Sequence, residues 1–145
     1  WDWRLNVMLN ISGIEEGYVI DHIRAGSCMK IYDALNLDKC EGEVAIIKNA
    51  KSGKLGKKDI IKIEGLVPLD LELLGFLDDN ITVDIIKNNK IIEKKSLSLP
   101  DKITGVAVCR NPRCITSIEQ GLKQTFILSD RKRHIYRCMY CEERL

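Results

Sequence analysis

The chain is 145 residues long, 45% apolar and 30% charged, with a net charge of +2 and six cysteines. That is enough to build a core in one domain or two small ones. No stretch reaches the eighteen or so apolar residues of a membrane span, and the first residues lack the zones of a secretory signal, so a cytoplasmic protein without membrane attachment is expected. The charge divides unevenly, net −2 over residues 1–102 and net +4 over 103–145. Neither part has the basic excess that phosphate-backbone binding demands, which leaves a nucleic-acid partner as the alternative and not the first reading.

In chain order, Tyr18 to Ile23 follows Gly17 as a β-branched run and predicts a strand. Ala25, Cys28, Ile31, Tyr32 and Leu35 recur at helical spacing and predict an amphipathic helix ending near Asn36. Val44–Ile47 and Asp59–Ile63 read as strands joined by a polar loop with Gly53 and Gly56, and Leu69–Leu77 as a short second helix. Ile81–Ile86 and Lys90–Lys94 flank Asn88-Asn89, a pair suited to the positive φ angles of a tight hairpin. The predicted order is βαββαββ, an α+β, ferredoxin-like sheet with two helices on one face.

Composition shifts at Leu99-Pro100-Asp101-Lys102, where proline disfavours helix in the residue before it. Two domains are therefore expected, 1–102 and 103–145, with 1–10 an irregular extension. The second should be a small all-β unit with strands near Val106–Val108, Thr125–Leu128 and Ile135–Arg137. About forty residues bury too little apolar surface to fold without a staple.

Cysteine spacing supplies one. Cys109-x4-Cys114 and Cys138-x2-Cys141 are two short-spaced pairs, each at a chain reversal, able to bring four thiolates about 2.3 Å from one Zn²⁺. The competing readings are two disulfides or four unliganded core thiols; a reducing compartment favours the metal. Four protein ligands leave no position for water, which makes the ion structural. Cys28 falls on an apolar helix face and reads as core, and Cys40 as an isolated thiol. No nucleophile–base pair, Walker-type phosphate loop or open metal site accompanies them, so the chain is not expected to be an enzyme.

Four segments, Gly17–Ile23, Leu55–Glu64, Cys109–Ile115 and Cys138–Glu142, resemble the regulatory chain of aspartate carbamoyltransferase, in order and over nearly the whole sequence. The resemblance implies a non-catalytic subunit of pyrimidine biosynthesis. Residues 1–102 would bind nucleoside triphosphates (CTP, ATP) as allosteric effectors. The chain would form a homodimer through its N-terminal domains and dock catalytic chains through its zinc domain, within a larger hetero-oligomer. By position it carries over Asp21 and His22 to ribose and phosphates, Lys62 to ribose and base, Lys58 and either Lys94 or Lys95 to phosphates. Ile14, Ile86 and Ile91 would line the base, with Asn89 offering backbone contacts where the family often has an aromatic residue. Met8 stands where well-known members have a lysine near the phosphates. Asn111, Tyr140 and Glu142, beside the metal ligands, would contact catalytic chains. The alternative from the residues alone is a zinc-containing nucleic-acid-binding protein using Arg131, Lys132, Arg133 and His134.

Overall fold

The computed structural model describes residues 15–53 and 56–145; Ile14, Leu55, Met8 and the extension expected over 1–10 lie outside the described residues. The first part contains β1 (Gly17–Arg24), α1 (Cys28–Ala34), β2 (Val44–Ser52), β3 (Gly56–Glu64), α2 (Leu71–Leu77), β4 (Thr82–Lys87) and β5 (Lys90–Ser96). The order is the predicted one. The strands lie β2-β3-β1-β4-β5, with every neighbouring pair antiparallel.

Alternation along the strands decides the packing. Ile20, Ile23, Ile61, Ile63 and Val83 point to one face, where they meet Cys28 and Ile31 of α1 and Leu74 of α2 in a single buried core. Both helices therefore cover the same side of the sheet. Full burial of each aliphatic side chain contributes about 1.5–3 kcal/mol. Asp70 caps α2, its Oδ1 accepting from the Leu73 N–H at 3.0 Å. Between β4 and β5, Asn88 and Asn89 have φ angles of 52° and 61°, the left-handed pair that a two-residue hairpin turn needs. The first helix begins at Cys28 and not Ala25, and a short 3₁₀ turn, Leu37–Lys39, follows it.

A second sheet, ordered β6-β7-β8, comprises β6 (Lys102–Thr104), β7 (Thr125–Asp130) and β8 (Ile135–Cys138); a one-turn helix, α3 (Ile115–Ile118), lies between β6 and β7. The strand expected at Val106–Val108 does not form. Gly105 takes a left-handed φ of 74°, ending the ladder after Thr104, and the chain beyond is drawn toward Cys109, whose N–H donates to Gln124 Oε1. Leu99, Ile103, Phe126 and Tyr136 pack with Cys109, Cys114 and Cys138 into a second core.

The two sheets meet along α2. Phe76 stands edge-on to Tyr136, centroids 5.2 Å apart and planes at 83°, and the Tyr136 hydroxyl donates to the Pro100 carbonyl at 2.6 Å. Arg131 donates to the Leu99 carbonyl and to Asp101. Gly75 lies so close to the Ser98 carbonyl that a Cβ would collide with it. Among the described residues no helix is long and apolar enough to cross a membrane.

Candidate functional site

Cys109 and Cys114 bracket a tight loop before α3, Cys138 ends β8, and Cys141 follows in the next turn. The four Sγ atoms all lie within 4.8 Å of one another, with Cys109 3.5 Å from Cys141 and Cys114 3.6 Å from Cys138. These separations are far beyond a disulfide bond. A tetrahedral ion with bonds of about 2.3 Å sets its sulfurs about 3.8 Å apart, so the donor set fits a closed four-thiolate metal site. Among the described residues this is the one such cluster; Cys28 is buried in the first core and Cys40 is half-buried against it.

Burial pushes the Cys109 thiol up to about 12, with its three cysteine neighbours adding to the rise. At Cys114 a hydrogen bond from the Thr116 hydroxyl outweighs burial and pulls the thiol down to about 7. Four thiols this close ionise together only when a cation takes their charge.

The turns around the sulfurs are tightly hydrogen-bonded. The Asn111 carbonyl accepts from the Cys114 N–H and the Ser117 hydroxyl, while its side-chain oxygen accepts from the Arg113 N–H. Glu142 has a left-handed φ of 63° and donates its N–H to the Cys138 carbonyl. Tyr140 and Glu142 are exposed and Asn111 is half-buried. Beside them Val108, Ile115, Ile118 and Met139 are exposed apolar side chains, Val108 at 71% and Ile118 at 67%. This apolar surround was not legible in advance, because its members are scattered over three segments that only the metal turns assemble.

The second group lies on the sheet face opposite the helices. Pairing aligns Ala45, Lys62, Val19, Asp84 and Lys94 in one row across five strands. Ile86 pairs with Ile91 farther along the same face, whereas Lys95 pairs with the core residue Val83. Lys58 Nζ lies 2.9 Å from Asp21. His22 occupies a bulge with φ 59°; its N–H donates to Asp21 Oδ1, and its Nδ1 is 2.8 Å from Thr82 Oγ1. Asn89, in the hairpin turn, donates its N–H to the Glu15 carbonyl. Burial lowers the Lys62 ammonium against the pull of Asp21, and raises the Asp84 carboxyl against the pull of Lys94. Partly dried charges of both signs on one face form a polar platform.

Asp59 is the residue that sequence reasoning missed. It is 0% exposed, and its carboxylate accepts from the backbone N–H groups of Asn49, Gly26 and Cys28 at 2.9, 2.9 and 3.3 Å. Burial works to raise its pKa, but these bonds and one from the Cys28 thiol together lower it. It thereby pins the β1–α1 turn, through Gly26 and Cys28, against the β2 bulge at Asn49. An aspartate inside an Ile-rich strand was the available signal. A separate cavity of about 1190 Å³ opens beside the β1–α1 turn, lined by Arg24, Lys30, Lys57, Asp79 and His134, and shares only His22 with the sheet-face group.

An antiparallel α+β sheet with a charged outer face, coupled to a smaller sheet built on a four-cysteine centre, defines a two-part binding protein with a structural metal site. The family model for the aspartate carbamoyltransferase regulatory chain, allosteric domain, matches residues 9–98, and that for its metal binding domain matches 101–145. Proteins named aspartate carbamoyltransferase regulatory chain are 52% identical in Clostridium botulinum and 49% in Clostridium acetobutylicum, each covering 94% of this chain and 93% of the relative. One from Bifidobacterium longum is 44% identical over 93% of this chain and 97% of its own length. The chain belongs to the aspartate carbamoyltransferase regulatory chain family, whose members are regulatory and not catalytic subunits.

Proposed function

We propose that this chain binds CTP and ATP on the outer face of its first sheet and transmits their effect to aspartate carbamoyltransferase catalytic chains in cytoplasmic pyrimidine biosynthesis. Residues 1–102 form the nucleotide-binding domain and pair with a second copy, and residues 103–145 hold one structural Zn²⁺ and dock the catalytic chain. The observation that carries this reading is the sulfur cluster ringed by exposed Val108, Ile115, Ile118 and Tyr140: a closed metal site makes its turns rigid, and a rigid, partly apolar surface suits a stable partner.

On the sheet face, Lys62 and Lys94 flank Asp84 across the row, Lys58 stands beside Asp21, and Ile86 with Ile91 offers an apolar slot at the far end. A triphosphate needs several fixed cations and a base needs an apolar surface. Lys94, on this face, suits phosphate better than Lys95, which pairs with a core position. Each nucleotide regulates by favouring one state of the assembly over another, which is the only way a bound ligand can shift an equilibrium. The nucleic-acid alternative loses support because two cations of its basic run are engaged internally, Arg131 with Leu99 and Asp101, and Arg133 with Asp130.

The test removes zinc under reducing conditions and measures both functions on one sample. Size exclusion should show lost association with catalytic chains, and calorimetry should show retained CTP binding. Continued assembly by the stripped chain would rule out the metal domain as the docking element.

A further inference from the structure

A divalent ion held by four thiolates leaves two net negative charges in a largely buried pocket, and such sulfurs are stabilised by hydrogen-bond donors around them. At Cys114 one residue is placed to supply them. Thr116 is 8% exposed, and its Oγ1 lies 3.0 Å from Cys114 Sγ. A metal-bound thiolate carries no proton, so the hydroxyl must be the donor.

The placement is fixed from both sides. Cys114 is the N-cap of α3, so the turn of helix that follows brings Thr116 back over the sulfur. From the opposite side Gln124 holds it: Gln124 Nε2 donates to the Thr116 carbonyl at 3.4 Å, and Gln124 Oε1 accepts from the Cys109 N–H at 3.2 Å. One amide therefore ties Thr116 to the other ligand of the same loop.

We propose that Thr116 is a positioning residue of the metal centre, its buried hydroxyl donating to the Cys114 thiolate so that the bound ion is retained against competing chelators. This rests on the metal reading above. The hydroxyl stabilises charge on the sulfur, making the thiolate harder to displace from the metal and slower to react with electrophiles.

The test uses the full-length chain loaded with one equivalent of Zn²⁺ under reducing conditions, and follows metal transfer to a chromogenic chelator. Thr116→Val keeps the shape but lacks the donor, and should release zinc about tenfold faster or more, the usual cost of losing such a partner. Thr116→Ser keeps the hydroxyl without the methyl and should stay within about twofold of the parent on the same scale. Thr116→Ala lacks both, so a defect common to Val and Ala but absent from Ser tracks the hydroxyl and not the packing. With Co²⁺ in the site, the thiolate-to-metal charge-transfer band should move to lower energy in Thr116→Val and stay in place in Thr116→Ser. One metal per chain with unchanged release and an unmoved band in Thr116→Val would overturn the role of Thr116 and leave the metal site intact, as would a Ser variant as leaky as Val. A parent chain that binds neither ion would overturn the metal reading, and the proposal with it.

Discussion

The two sheets solve the same stability problem by different means. The first gathers ten buried aliphatic and sulfur side chains, from β1, β3, β4, both helices and the segments beside them, into one core. The second has four buried hydrophobic side chains besides its cysteines, Leu99, Ile103, Phe126 and Tyr136. What it lacks in apolar surface it supplies with thiolates, which turns folding free energy into metal-binding free energy. A binding face can then be built on a unit too small to hold itself together by burial.

The largest expected effect comes from taking the metal away. Chelation should unfold residues 103–145 while the first sheet keeps its structure, visible as hydrogen-exchange protection lost only in the second region; apparent zinc contributions in small domains reach about 10–16 kcal/mol. Joint loss of both regions would show that the contact along Phe76 and Tyr136 makes them one cooperative unit. Replacing Cys28 and Cys40 together by Ser should leave the zinc content unchanged.

The first sheet has its own weak point in Asp59. Asp59→Ala strands the buried Cys28 N–H and the partly buried N–H groups of Gly26 and Asn49, a buried one costing about 1–3 kcal/mol, and should lower stability by about 3–5 kcal/mol in denaturant titration. Its effect also carries a pH signature. Because the folded pKa lies below the unfolded value of about 3.9, the carboxylate stabilises fully above that value, and the contribution fades as pH falls through the folded pKa. Asp59→Asn should flatten this acid limb.

Smaller effects are expected on the outer face. Lys62→Ala and Lys94→Ala should each weaken CTP and ATP binding by about 1–3 kcal/mol in calorimetry, the range for a charge-assisted contact, with Lys95→Ala close to neutral. Unchanged affinity in both would move the nucleotide site elsewhere. The smallest effect belongs to the junction between the sheets: Tyr136→Phe keeps the ring contact with Phe76 but loses the bond to Pro100, about 0.5–1.5 kcal/mol in thermal unfolding of the metal-loaded chain.

How much of this could be read in advance follows the same division. In the first region isoleucine alternation, helical spacing and Asn88-Asn89 each specify a local state, and local preference agrees with the tertiary structure, so element order was legible. In the second region the cysteine spacing was legible, and so were the strands at Thr125–Leu128 and Ile135–Arg137, which fall within β7 and β8. Val106-Ala107-Val108 has strand-forming side chains, yet the path there is set by Gly105 and by the reach of Cys109 to sulfurs distant in sequence. Lys102–Thr104 and Ile115–Ile118 are too short to show a period. Asp59 was hidden for another reason: its partners are backbone N–H groups, which no side-chain pattern announces.

Strand β1 lies at the centre of its sheet but precedes both neighbours in the chain, its residues pairing with Lys58–Glu64 on one side and Thr82–Ile86 on the other. During synthesis at about 5–20 residues per second, roughly 3–12 s separate the emergence of Asp21 from that of its partner Thr82. Through that interval Ile20 and Ile23 are incompletely covered, and one edge of the strand, both until Glu64 has emerged, is open to pairing with a neighbouring nascent chain. The topology that gives the finished sheet its buried centre thus makes the newborn chain depend, for some seconds, on dilution or on a chaperone.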